Sequence, residues 1–154
     1  MEESYEEAVA ELKRIDHLFY VSLKYTRTVD MMKHMLDRMV GMFQFGILCL
    51  LKKKKIDNKL TLIPENNAMR IALVLEHYPD EELKQFIQFY IRLRKLTKAP
   101  FSRREEFRRH VTMTATLDNN EIVEIDIDKL KEYYDLSRIF VKYLKVQIRG
   151  EEEF

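Results

Sequence analysis

The run Ser102-Arg-Arg-Glu-Glu-Phe-Arg-Arg-His110 is where this chain crowds permanent guanidinium charges around an imidazole. A guanidinium can grip two phosphate oxygens at once and keeps its charge throughout the accessible pH range. Histidine, in its ordinary range, can take up or release a proton near neutrality. Together these residue types suit the binding of a phosphate and the cleavage of RNA through the ribose 2′-hydroxyl, with no metal required. In that reading Arg104 and His110 are the catalytic pair, and Arg103, Arg108 and Arg109 supply phosphate contacts. On a helix Arg104 and His110 would lie six residues apart, and so would Arg103 and Arg109. The plainer alternative is a solvated charged connector, in which Glu105 and Glu106 neutralise the arginines.

The other reactive side chains carry less. His17, His34 and His77 read as structural histidines, because no pair of them has metal-ligand spacing with a Cys or a carboxylate. No metal and no cofactor is therefore expected. Glycine-rich phosphate loops, nucleophile elbows and zinc patterns are missing from the sequence. Met31, Met35, Met39 and Met42 form a helical stripe that reads as core, with an adaptable groove as the alternative. Lys52 to Lys55 read as a solvated helix end, with phosphate contact as the alternative.

Composition bounds what can position these residues. The chain has 154 residues, 34% of them charged and 46% hydrophobic, which suits one domain over 1–150 with a core of its own;. The 27 basic and 26 acidic side chains leave a net charge of +1, so any affinity for nucleic acid must come from a local patch;. The one cysteine, Cys49, lies in an apolar run and reads as a buried thiol in a reducing cytoplasm;. The acidic start is unlike a signal peptide, and the longest apolar run, Ile47 to Leu51, is too short to span a bilayer;. The Lys-, Glu- and Arg-rich mix without tryptophan suggests a thermophile.

Hydrophobic spacing predicts four long helical segments. Ser4 with Glu7 forms a capping box for a first helix reaching about Tyr25. Thr28 caps a second helix from Val29 to about Lys54, apolar on two faces, where Gly41 and Gly46 would let a neighbour approach closely. Asn66-Asn67 opens a third helix, broken near Pro79, and Asp80 caps its continuation toward Pro100. The period then changes to two. Val111 to Leu117 and Val123 to Ile127 alternate around Asp118-Asn-Asn120, which predicts a β-hairpin over about 111–127. Asp128 is expected to cap the last helix, Gly150 to end it, and 151–154 to form a frayed tail. The expected fold is mainly α, an antiparallel four-helix bundle with one β-hairpin before the last helix. A lone hairpin is marginal in water, so it must pack on the bundle or on a partner.

Two long N-terminal helices, a third helix, a polar segment holding Arg and His, and a closing helix resemble the HEPN domain superfamily of small helical proteins. The signature of that superfamily is an Arg followed a short way on by a His. Here five residues intervene between Arg104 and His110, and six between Arg103 and His110. Two features depart from the usual pattern: Glu105 stands where a polar Asn, Asp or His is common, and the run leads into a hairpin instead of the last helix. The resemblance implies a homodimer that brings two Arg/His sets into one cleft. It also implies a metal-independent ribonuclease of toxin type acting on RNA or nucleotides, with a nucleotidyltransferase-type protein as partner. By that resemblance Arg104 would hold the scissile phosphate and His110 would transfer the proton. A non-catalytic module that dimerises through its helices and docks a partner protein is the alternative.

Overall fold

The computed structural model describes residues 1–150; the expected tail at 151–154 lies outside the described residues. The chain is mainly helical and carries a small three-stranded antiparallel sheet. Helix α1 (Glu2–His17) runs into a π-helical segment (Leu18–Ser22) and a last short turn, α2 (Leu23–Tyr25). Helix α3 (Val29–Ile56) is the longest element, and α4 (Asn67–His77) and α5 (Glu81–Lys98) follow. Strands β1 (Phe101–Arg104), β2 (Thr112–Thr116) and β3 (Ile122–Ile125) form the sheet in that order, and α6 (Ile127–Arg149) closes the chain.

Helix α3 is the hub. It packs against α1, α4, α5 and α6 and touches β2. Met32, Met35, Leu36, Met39, Met42, Phe43 and Leu50 are fully buried on it, so the Met stripe is core. By length and composition α3 could cross a membrane, yet 56% of its most apolar window is buried within this fold. The Phe43 and Phe140 rings stack at 4.3 Å between centroids, with Phe86 edge-on to Phe140 at 5.2 Å. Gly46 makes this approach of α6 possible. A Cβ placed there would overlap the Phe140 ring, lying 2.7 Å from its Cζ and 3.0 Å from Leu144 Cδ1. Gly41 has open space instead.

Helix starts follow their caps. Thr28, Asn66 and Asp80 accept from the backbone N–H groups of Met31, Met69 and Leu83 at 3.2, 3.0 and 3.1 Å. Two expected caps are corrected. Ser4 is buried inside α1, where its hydroxyl accepts from Lys52 Nζ at 3.0 Å, and the helix begins at Glu2 with no side-chain cap. On α6 the cap is Asp126, which accepts from Lys129 N–H at 2.8 Å, and the expected cap Asp128 lies in the first turn. Gly150 ends α6 with a φ of 79°.

The sheet differs from the expected hairpin by one strand. β2 and β3 pair with Met113 opposite Ile125 and Ala115 opposite Val123, all buried against the helices. β1 adds to the free edge of β2, Phe101 opposite Ala115 and Arg104 opposite Thr112. Pro100 cannot continue α5 as helix, and the extended backbone it leaves behind falls into register with β2.

Gly46→Ala should lower stability by about 1–2 kcal/mol in denaturant unfolding, overpacking outweighing the better helix propensity of alanine. Gly41→Ala should leave stability unchanged or raise it by up to about 1 kcal/mol.

Burial also predicts alkaline lability. Cys49 is fully buried, and loss of hydration pushes its thiol up from 9.0 to about 11. Tyr78 donates to the Leu50 carbonyl at 2.8 Å, Tyr143 donates to the Asp80 carboxylate at 3.1 Å, and burial pushes both phenols above their usual range. Each group holds its proton more tightly folded than unfolded. Stability is therefore full below the unfolded value and falls as pH rises through the folded one. Unfolding free energy should drop between pH 9 and about 11, with the thiol contributing about 2–3 kcal/mol, and Cys49→Ala should flatten that slope;.

Candidate nucleic-acid interface

Strand alternation separates the two arginines of β1. Arg103 stands opposite Met113, on the face that packs toward the helices;. Its guanidinium donates to Asp30 Oδ1 at 2.7 Å, in the first turn of α3, and lies 3.9 Å from Glu106 Oε2. The Asp30 bond pushes the Arg103 guanidinium above its usual range. Arg104 stands on the other face, opposite the buried Thr112, and reaches across β2 to the exposed Glu124 at 3.3 Å. Both side chains remain about half exposed, at 42% and 57%.

The segment after β1 is not helical, contrary to the spacing considered from the sequence. It is a tight turn pinned to the start of α3. Phe107 N–H donates to the Arg27 carbonyl at 2.7 Å, and the Glu106 carboxylate accepts from Val29 N–H at 2.9 Å. The first N–H groups of a helix lack partners within it and carry positive potential, so a carboxylate is well placed there. Arg108 N–H then closes on the Glu105 carbonyl at 3.3 Å and Val111 N–H on the Arg108 carbonyl at 3.2 Å. These closures hold Glu105 and Phe107 at φ values of 53° and 65°, a conformation that costs a side-chain-bearing residue roughly 1 kcal/mol or more;.

The pinning decides what faces solvent. Glu106 is engaged with the helix and Arg103 with Asp30. Phe107 is 72% exposed, and Arg108, Arg109 and His110 are exposed beside it in the chain. Among the described residues Arg108, Arg109 and His110 form no ion pair. The His110 carbonyl accepts from the Thr112 hydroxyl at 2.8 Å, while its ring is left to solvent. Arg104 and His110 thus lie at the same end of the sheet, one on the strand and one in the turn, with no hydrogen bond between them.

Two other surfaces are basic. Beside α5, adjoining depressions of about 270 and 330 Å³ share Ile91, Lys95 and Asp118 and include Arg94 and Lys98. Arg92 at their rim is gripped by Glu121 at 2.7 and 3.4 Å. Between α1 and α3, a cleft gathers Lys13, Arg14, His17, His34 and Arg38, including two histidines that read from sequence as structural. The readable signal was the four-residue spacing of Lys13 with His17 and of His34 with Arg38, which puts each pair on one helix face;. No group of three or more His, Cys, Asp or Glu side chains among the described residues is placed to hold a metal ion.

The chain matches no protein-family model, no curated protein and no solved structure.

Glu106→Ala leaves the buried Val29 N–H without its acceptor and should lower stability by about 1 kcal/mol in denaturant unfolding. Glu106→Gln keeps an acceptor and should lose less.

Proposed function

We propose that the protein is an HEPN-like RNA-binding protein that engages a single strand with the turn at residues 105–110. One observation carries this: an exposed aromatic, Phe107, whose backbone is pinned to the Arg27 carbonyl, stands between an engaged carboxylate and three unpaired basic side chains. Single strands are bound by aromatic platforms on which bases stack, flanked by cations that track phosphates. Phe107 is the platform, and Arg108 and Arg109 are the phosphate contacts. Arg103 acts indirectly, tying β1 to α3 through Asp30.

Cleavage belongs to a homodimer in this reading. One copy leaves Arg104 and His110 open to solvent, and a second copy closes the cleft in which His110 transfers the proton and Arg104 holds the scissile phosphate. A packing of α1, α3, α5 and α6 as an antiparallel four-helix bundle is the scaffold that such a dimer needs, and the contacts of α3 with the other three support it. A nucleotidyltransferase-type protein is the partner class the resemblance implies.

The alternative, a non-catalytic module that docks a partner protein, draws on the end of the first helix. There Tyr20, Val21 and Tyr25 are 51%, 41% and 79% exposed around the π-helical segment. Short π-helical insertions are frequent at functional sites.

Fluorescence anisotropy with a short single-stranded RNA separates these. Phe107→Ala should weaken binding about tenfold or more, since a base–aromatic stack contributes roughly 1–3 kcal/mol. Arg108→Gln and Arg109→Gln should each weaken it and reduce its salt dependence. RNA incubated with the protein between about pH 5 and 8 should be cut slowly, with no effect of a chelator and no cutting by His110→Ala. RNA left intact removes the nuclease, and affinity unchanged in Phe107→Ala removes the whole reading.

A further inference from the structure

The cleft between α1 and α3 is a built basic site. Lys13 and His17 lie one turn apart on α1, and His34 and Arg38 lie one turn apart on α3;. The two helices pack along each other, and the pairs open on one depression of about 340 Å³ whose floor includes the half-buried Leu18. Glu11 organises it. This carboxylate is buried and accepts from Arg14 Nη1 at 2.8 Å and from Arg38 Nη1 at 3.3 Å. One acid thereby fixes two guanidiniums, one from each wall.

The other acids nearby turn elsewhere. Asp16 accepts from the Tyr134 hydroxyl, Asp37 pairs with Lys33 at 3.0 Å, and Asp30 pairs with Arg103. Three permanent cations therefore face one carboxylate, and two positive charges stay uncompensated before either imidazole takes a proton. That excess repels a metal cation and attracts an oxyanion. Guanidinium forks and imidazole N–H groups are donors that fit phosphate oxygens.

The cleft also neighbours the turn at 105–110 along α3. Asp30, His34 and Arg38 follow one another at successive turns of α3, about 6 Å apart along the axis. Arg103 sits on Asp30, so the cleft opens one turn along from the point where β1 is tied down.

We propose that this cleft is a phosphate-binding subsite, formed by Lys13, His17, His34, Arg14 and Arg38, that takes a phosphodiester of the RNA strand engaged by Phe107, Arg108 and Arg109. The strand assignment rests on the function proposed above. The phosphate chemistry of the cleft does not, and a free phosphorylated small molecule would use the same donors.

The four histidines give the test, because their ring resonances are few and well separated in place. The full chain is titrated by NMR with inorganic phosphate and then with a short single-stranded RNA, and His17→Gln and His34→Gln assign the signals. Phosphate should shift His17 and His34 saturably and leave His77 still. RNA should shift His17, His34 and His110 together, and the double variant Lys13→Gln/His17→Gln should weaken RNA binding about tenfold with no change in unfolding midpoint. If phosphate moves His17 and His34 while RNA moves only His110, the cleft serves a free phosphorylated molecule and the strand assignment is overturned. If neither ligand moves His17 or His34, the subsite is overturned whatever His110 does. If RNA moves His17 and His34 but not His110, the subsite stands and the role of the turn falls.

Discussion

Burial of α3 on several sides at once is the constraint from which the other placements follow. A helix carrying Met32, Met35, Leu36, Met39, Met42, Phe43 and Leu50 on adjoining faces cannot be covered by one neighbour;. It collects α1, α4, α5 and α6 around it, and the approach of α6 runs over Gly46. Its N-terminus meets the turn that follows β1. Thr28 satisfies one N–H there from within its own chain segment, and Glu106 satisfies another from far along the sequence. The basic turn is held in place because a buried helix needs its first turn completed.

That coupling explains the division of labour in the run 102–110. Part of its charge is tied down and part is presented outward. Arg103 and Glu106 are tied to α3, and Arg104 is matched by Glu124 across the sheet. What remains at the apex is an aromatic ring with three basic neighbours after it and the exposed Glu105 before it. The nearly balanced whole-chain charge hides this, because acids and bases are sorted by surface. Three basic surfaces arise from the α1–α3 cleft, the flank of α5 and the turn after β1.

Much of the scaffold was readable from residue order, and the misses have local causes. Thr28, Asn66 and Asp80 were legible as caps because each precedes an apolar period in an otherwise polar gap. Ser4 carried the same signature, but a part-buried lysine contact from α3 claimed its hydroxyl, which no local pattern reveals. Asp126 and Asp128 are equivalent locally, and the end of β3 at Ile125 decided between them. β1 was illegible because Ser-Arg-Arg has no strand preference of its own; its pairing with β2 is a long-range decision;. Of the candidate residues, Arg104 and His110 fell at one end of the sheet as types in a run can suggest. The gathering of His17 and His34 required knowing that α1 lies along α3.

The π-helical segment has a consequence for chain length. Ile15 and Leu23 both face the core, yet they are eight residues apart where two α-helical turns take about 7.2;. The wider turn absorbs the surplus, so the inward phase survives while Tyr20 and Val21 swell outward. Loss of one residue within 18–22 would restore a regular helix without rotating Leu23 away from its neighbours. The same loss within the preceding turns would swing every later side chain by about 100°. This stretch is therefore a place where the polypeptide can shorten by a single step and keep the inward phase of Leu23, at the expense of the contacts that Phe19 and Tyr20 make with the Tyr134 ring.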